Sequence, residues 1–221
     1  MTDFDLTTAW GRLHARLRYL WDDHAWLRLW IRNSHWVTPE LARSSQPWPF
    51  QFKRWRDQGV RTVVSLRGDH HKAHRVLETA ACKDLGLVLK DLDLRSREAP
   101  TLEQVLAAKQ VFESIDYPCL IHCKAGADRA GMAAVLYLHF RHGQPIAEAR
   151  RQLSLQFGHF RQGRTGILDH VLDRYIADAA VTGESFLQWV SRPDYDPKAI
   201  KAGFRPTWLG GLIADTLLRR E

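Results

Sequence analysis

The chain has 221 residues, 45% of them hydrophobic, with 32 basic against 25 acidic side chains and a net charge of +7. That length suits one domain or one domain with extensions, and that apolar share supports a sizeable core, which argues against disorder. The positive balance favours anionic partners without choosing among phosphorylated ligands, an acidic membrane surface and nucleic acid.

Residues 6–31 carry an apolar stripe of Leu6, Trp10, Leu13, Leu17, Leu20, Leu27 and Ile31, with His24 filling the gap. Steps alternating between three and four are helical spacing. Trp21, Trp26 and Trp30 widen the apolar surface, and Arg12, Arg16, Arg28 and Arg32 decorate the rest. Such a helix either packs on the main domain or anchors at an acidic membrane, here the inner face. The N-terminus does not read as a signal peptide: Asp3 and Asp5 replace a basic start, and arginines interrupt any apolar core. No apolar run is long enough to span a bilayer, so a soluble or at most peripheral protein is expected.

From about residue 36 short strands alternate with helices. Val60–Leu66 is a β-branched run, followed by a helix over His71–Leu85 and a strand over Leu87–Leu92. Thr101 before Glu103 and Gln104 caps a helix to Ile115. Pro118–His122 is a short buried strand, and Ala130–His142 a helix ending at Gly143. Strands separated by helices imply parallel crossovers. The expected fold is α/β, a three-layer sandwich whose central, mostly parallel sheet of four or five strands is flanked by helices. Helices over Pro145–Leu155 and Gly166–Ala179 follow, and a tail with Pro193, Pro197 and Pro206 leads to a last helix near Trp208–Leu218. The expected division is 1–35, an amphipathic helical extension; 36–180, the main domain; and 181–221, a helical tail.

Three cysteines, Cys82, Cys119 and Cys123, make no disulfide framework. Cys119 and Cys123 stand four apart on a predicted strand, roughly 13 Å between Cα atoms, which is beyond disulfide reach. A reducing, cytoplasmic compartment is expected.

The chemistry concentrates in His122–Gly131, HCKAGADRAG, between a predicted strand and a predicted helix. An anion-binding loop belongs there, with the backbone N–H groups of Lys124, Ala125, Gly126, Ala127, Asp128 and Arg129 turned inward around a phosphate. Gly126 permits a backbone geometry other residues resist, and Gly131 lets the helix pack closely. Arg129 supplies a fork of donors for two oxygens. Such a setting favours a thiolate, so Cys123 can attack phosphorus while fixed donors hold the transition-state charge. No metal or cofactor is needed. His70, His71 and His74 lack a nearby carboxylate or thiolate set beyond Asp69, so metal binding is not expected. Nor is nucleic-acid binding, since no recognised motif supports it.

These residues resemble the protein tyrosine and dual-specificity phosphatases, whose signature is His-Cys, five residues, Arg, then usually Ser or Thr and Gly. The match is His122, Cys123, Arg129 and Gly131, with Gly126 in place. With Val63–Gly68 (VVSLRG) and the helices after the loop, the resemblance to compact bacterial dual-specificity-like phosphatases spans roughly residues 36–180. It implies a cysteinyl-phosphate mechanism on phosphotyrosine in protein, or on a phospholipid or inositol phosphate. It also implies that His122 organises the loop. Lys124 is similar to the extra basic residue with which inositol-lipid phosphatases hold a polyanionic headgroup.

The general acid stays open. The family places an Asp after the strand preceding the long helix, which here means Asp93, with Asp91 and Glu98 as alternatives. Asp128 is a rival, because several lipid-directed relatives such as the myotubularins carry Asp at that position. Ala130 departs from the pattern: the family's hydroxyl there stabilises the departing thiolate. A phosphate-binding pseudophosphatase is therefore the alternative. A rhodanese-like sulfur transferase fits Arg129 and Gly131 less well. Arg67, His70, His71 and Lys72, with His159, Arg161 and Arg164, are further candidates for the mouth of the site.

Overall fold

A computed structural model describes residues 4–26, 33–68 and 70–206. Five strands form one sheet: β1 His35–Thr38, β2 Leu41–Ser45, β3 Thr62–Ser65, β4 Val88–Asp91 and β5 Cys119–Cys123. Their order is β1-β2-β5-β3-β4, with β1 antiparallel to β2 and the other pairings parallel. The helices are α1 Ala9–Asp22, α2 Pro49–Asp57, α3 Ala73–Asp84, α4 Leu102–Ser114, α5 Asp128–His142, α6 Ile146–Ala149, α7 Ile167–Thr182, α8 Phe186–Val190 and α9 Pro197–Gly203.

The side-chain period of two sorts each central strand between two cores. Leu41, Val64 and Ile121 join the larger core with α4, α5 and α7, while Ala42, Val63 and Leu120 face Phe52 of α2 and Cys82 of α3. Both faces are covered, as a parallel sheet requires. Thr101 caps α4 as expected: its hydroxyl accepts from Gln104 N at 3.2 Å, and Gln104 Oε1 accepts from Thr101 N at 3.1 Å. Phe186, Trp189, Val190 and Ile200, from α8 and α9, complete the larger core.

Two expectations change. The helix expected over residues 6–31 is α1, which closes at Asp22 before a turn in which His24 has φ 51°. Its apolar stripe does not face the domain. Ala15 and Tyr19 are buried against Ala73 and Leu77, whereas Trp10, Leu13, Leu17 and Trp21 are exposed, Trp10 by 76% and Trp21 by 67%. Tyr19 explains the choice, since its ring packs on Trp48 and its hydroxyl donates to Pro47 O at 3.3 Å. Leu27, Arg28, Trp30, Ile31 and Arg32 lie outside the described residues, as does the expected helix at Trp208–Leu218.

The helix expected over Pro145–Leu155 is only the single turn α6, followed by 3-10 turns at Arg150–Gln152 and Leu155–Phe157. A tertiary bond competes with its continuation. Arg43 Nη1 donates to the Gln152 carbonyl at 2.7 Å, taking an acceptor that a longer helix would use.

Candidate active site

Register places the ends of the parallel strands side by side. Ser45 pairs with Cys123, Ser65 with His122, and Ser65 with Asp91. The segments leaving these ends therefore gather at one edge, where ligands bind in open α/β sheets. A cleft of about 1000 Å³ opens there, lined by residues 67–68, 71–74 and 93–98, by Lys124 and Arg129, and by Arg18, Tyr19, Asp22 and Asp23 of the N-terminal segment.

The loop after β5 is held from outside by its carbonyls. The carbonyl of Lys124 accepts from Gln46 N at 3.2 Å. That of Ala125 accepts from Asn33 Nδ2 at 2.9 Å. Arg43 Nη2 donates to the Gly126 and Ala127 carbonyls at 2.9 and 2.8 Å. In a trans peptide the N–H points opposite to the C=O. Four carbonyls turned outward therefore turn the N–H groups of residues 125–128 toward the loop's interior. Gly126 N donates to Cys123 Sγ at 3.2 Å, in agreement. The start of α5 adds its dipole at the same place.

Gly126 has φ 72°, and a Cβ there would meet Ser45 N at 2.5 Å, so both the conformation and the space demand glycine. At Gly131 a Cβ would lie 2.7 Å from Leu153 Cδ2, where the segment after α6 crosses α5.

The sequence reading missed Arg43. It is fully buried on β2, with its guanidinium 4.3 Å above the Phe157 ring. Burial pulls its pKa down to about 10, while the Cys123 and Asp128 charges oppose that shift. An arginine in the short polar stretch LARSS was the available signal. Glu78 was missed too. It is buried on α3, with Oε1 2.5 Å from His122 Nε2, and so braces the residue before Cys123. Burial works to raise its pKa, but the charge and hydrogen bonding of His122, with Arg75 and His74, carry it below the usual value.

The candidate acids separate. Asp93 lines the cleft with Arg129, is exposed, and has its backbone fixed by Gln104 Nε2, which donates to its carbonyl at 3.0 Å. Asp91 instead accepts from Arg75 Nη2 at 2.7 Å and is not among the cleft residues. Glu98 lines the cleft but is bonded to Lys201 Nζ at 2.8 Å, which lowers its pKa. Asp128 is buried and is not among the cleft residues. His159 Nδ1 lies 2.6 Å from its Oδ1, and His159 Nε2 lies 2.6 Å from Asp169 Oδ2. Burial disfavours the charged ring, yet the bonds to both carboxylates and their charges raise the His159 pKa to about 9.

Of the further basic candidates, Arg67, His71 and Lys72 line the cleft, while His70 stands 3.9 Å from Asp91. His159 and Arg161 do not reach the mouth: they line a separate groove with Asp169, and Arg161 pairs with Asp173. Arg164 is exposed and lines neither. His159 and Arg161 tie their segment to Asp169 and Asp173 of α7. Ala130 is fully buried in the first turn of α5.

The three cysteines are free and buried, and burial raises the Cys119 pKa and pushes that of Cys82 up to about 12. Among the described residues no helix is long and apolar enough to cross a membrane.

Comparison with known proteins agrees with this geometry. Solved structures share the fold at 20% identity. TpbA of P. aeruginosa superposes with a TM-score of 0.53, covering 72% of this chain and 88% of that one. A Cys-to-Ser variant of TpbA in complex with pTyr gives 0.52, covering 67% and 91%. A Gly-to-Ala mutant form of Tk-PTP gives 0.50, covering 65% and 97%. No curated protein sequence matches the chain. Residues 40–164 match the family model described as DSP-PTPase phosphatase fused to NAD+ kinase. The chain belongs to that family, and it is a cysteine-based phosphatase of the protein tyrosine and dual-specificity type.

Proposed function

We propose that the protein hydrolyses a phosphomonoester through a cysteinyl-phosphate intermediate and without a metal ion. The observation that carries this is the set of four outward-held carbonyls, which supports an N–H cradle around Cys123. In the first step Cys123 Sγ forms a bond to phosphorus as the P–O bond to the leaving group breaks. Asp93 gives its proton to the leaving oxygen. In the second step water attacks phosphorus, Asp93 takes back a proton, and the thiolate departs. Arg129 and the N–H groups of residues 124–129 hold the three equatorial oxygens throughout. His122 and Asp128 position the two ends of the loop, through Glu78 and His159 respectively.

The basic cleft, with Arg67, His71, Lys72, Arg95, Arg97 and Lys201 among its residues, favours a lipid, inositol or other small phosphorylated molecule over phosphotyrosine in protein. Both classes stay in the test. The experiment is hydrolysis of a small aryl phosphate across the pH range around neutrality, for the native chain, Cys123→Ser and Asp93→Asn. Activity indifferent to chelator, abolished in the first variant and stripped of its alkaline limb in the second, is the expected result. Undiminished activity in Cys123→Ser would overturn the mechanism. Panels of phosphopeptides and phosphoinositides then rank the substrates.

Ala130 supports one second reading, a recognition module with slow turnover, because no hydroxyl at that position assists thiolate release. A burst of one product per enzyme followed by silence would favour it. Steady turnover beyond one equivalent would exclude it.

We also propose that the protein binds the cytoplasmic face of an acidic membrane, a reading supported by Trp10, Leu13, Leu17 and Trp21, which form one exposed apolar side of α1 beside Arg16. Co-sedimentation with phosphatidylglycerol vesicles, lost in a Trp10→Ser/Trp21→Ser variant, is expected. Binding unaffected by the substitutions would overturn it.

A further inference from the structure

We propose that Asp23, delivered by the N-terminal segment from outside the matched region, is a positioning residue. Its carboxylate holds Arg67 and draws on Lys124, and so limits the positive charge that the loop presents to phosphate. This rests on reading residues 123–129 as the phosphate site.

The contact is specific. Asp23 sits at the turn where α1 ends and is 8% exposed. Arg67 Nη2 donates to its Oδ1 at 2.7 Å and Arg67 Nη1 to its Oδ2 at 3.0 Å. This is the two-bond fork that a guanidinium also gives a phosphate. Lys124 Nζ stands 4.0 Å from the same Oδ1. Asp23, Arg67, Lys124 and Arg129 all line one cleft. The arrangement also reaches the loop's backbone: Arg67 Nη1 lies 3.3 Å from Gln46 Oε1, and Gln46 N holds the Lys124 carbonyl. One carboxylate thus acts on a loop side chain by charge and on the loop backbone through Arg67 and Gln46.

A counterion is to be expected for a buried arginine. A merely structural pair, however, has no reason to form in the wall of the substrate cleft or to meet a loop lysine. In a partly enclosed cleft a negative charge at this range offsets much of the field of its neighbours. The consequence for function is a phosphate site held below its full anion affinity, which keeps inorganic phosphate from lingering after hydrolysis.

The test is calorimetric titration of inorganic phosphate into the Cys123→Ser protein and into the same protein carrying Asp23→Asn. Asparagine keeps one acceptor for Arg67 and removes the charge together with the second acceptor. Phosphate is expected to bind about tenfold tighter in the second protein, with a steeper salt dependence. Asp23→Glu is expected to restore the parent affinity. Unchanged or weaker binding in Asp23→Asn would overturn the proposal while leaving the phosphate site standing. A parent protein that binds no phosphate would overturn the site reading itself, and the proposal with it.

If melting curves show that Asp23→Asn does not fold, the Asp23→Asn/Arg67→Gln protein removes the buried pair as a unit, which costs less than removing one partner. Adding Lys124→Met is expected to weaken phosphate binding more in that background than in the Cys123→Ser parent, because Asp23 no longer draws on the ammonium. An equal loss in both backgrounds overturns the proposal.

Discussion

Arg129→Lys is expected to lower kcat/KM on an aryl phosphate by about a hundred- to a thousandfold, the range seen when one preorganised donor to a developing charge is removed. Lysine keeps the positive charge but not the planar fork, so it cannot hold two phosphate oxygens in fixed geometry. Arg129 is half-buried at an open cleft rather than in the core, and its Nη1 donates to the Leu66 carbonyl at a long 3.3 Å. The melting temperature should therefore stay near that of the native chain. Near-native kcat/KM in the variant would remove Arg129 from the transition state. A large loss accompanied by a collapsed melting temperature would assign it to folding instead.

The second large effect is on stability, at His159. Its imidazole bridges two buried carboxylates, Asp128 at the start of α5 and Asp169 in the first turn of α7. Replacing it with leucine strands both charges, a loss on the order of 3–5 kcal/mol. Its pH dependence has a definite sign. The folded pKa of about 9 lies above the ordinary imidazole value of 6.5, so folding takes up a proton on this ring. The bridge's full contribution is present below the unfolded value of 6.5. It declines as pH rises and is gone above about 9. Melting curves of the native chain and His159→Gln at several values between those limits isolate the effect, because other groups titrating there are common to both. Their stability difference should shrink as the pH rises; a constant gap would show that His159 is not charged in the fold.

The same residue shows why Asp128 and Asp93 could not be ranked from the sequence. Both stand near cleft-forming segments in the chain, and spacing says nothing of what lies across the fold. An imidazolium contributed from thirty-one residues away engages Asp128 and draws it inside. Asp93 meets no such partner among the described residues and stays at the cleft.

Local signals determined a large part of this protein. Short β-branched and apolar runs reveal the parallel strands, because both of their faces are buried, and capping and breaking residues mark the helices between them. Thr101 marks a helix start because its hydroxyl satisfies an N–H within its own turn. HCKAGADRAG marks the proposed phosphate loop because the strand, the loop and the helix that shape it are contiguous.

Tertiary structure decided what that loop is built against. Arg43, Asn33 and Gln46 arrive from before the domain's first crossover, Glu78 from α3, and Asp23 from a segment that the family match does not include. Their side chains show no period, and their partners lie far away in the chain. Tertiary structure also turned the tryptophan stripe of α1 outward. Amphipathic spacing says that one face is apolar, but only the close packing of Ala15 and the anchoring of Tyr19 on Trp48 determine which face the core takes.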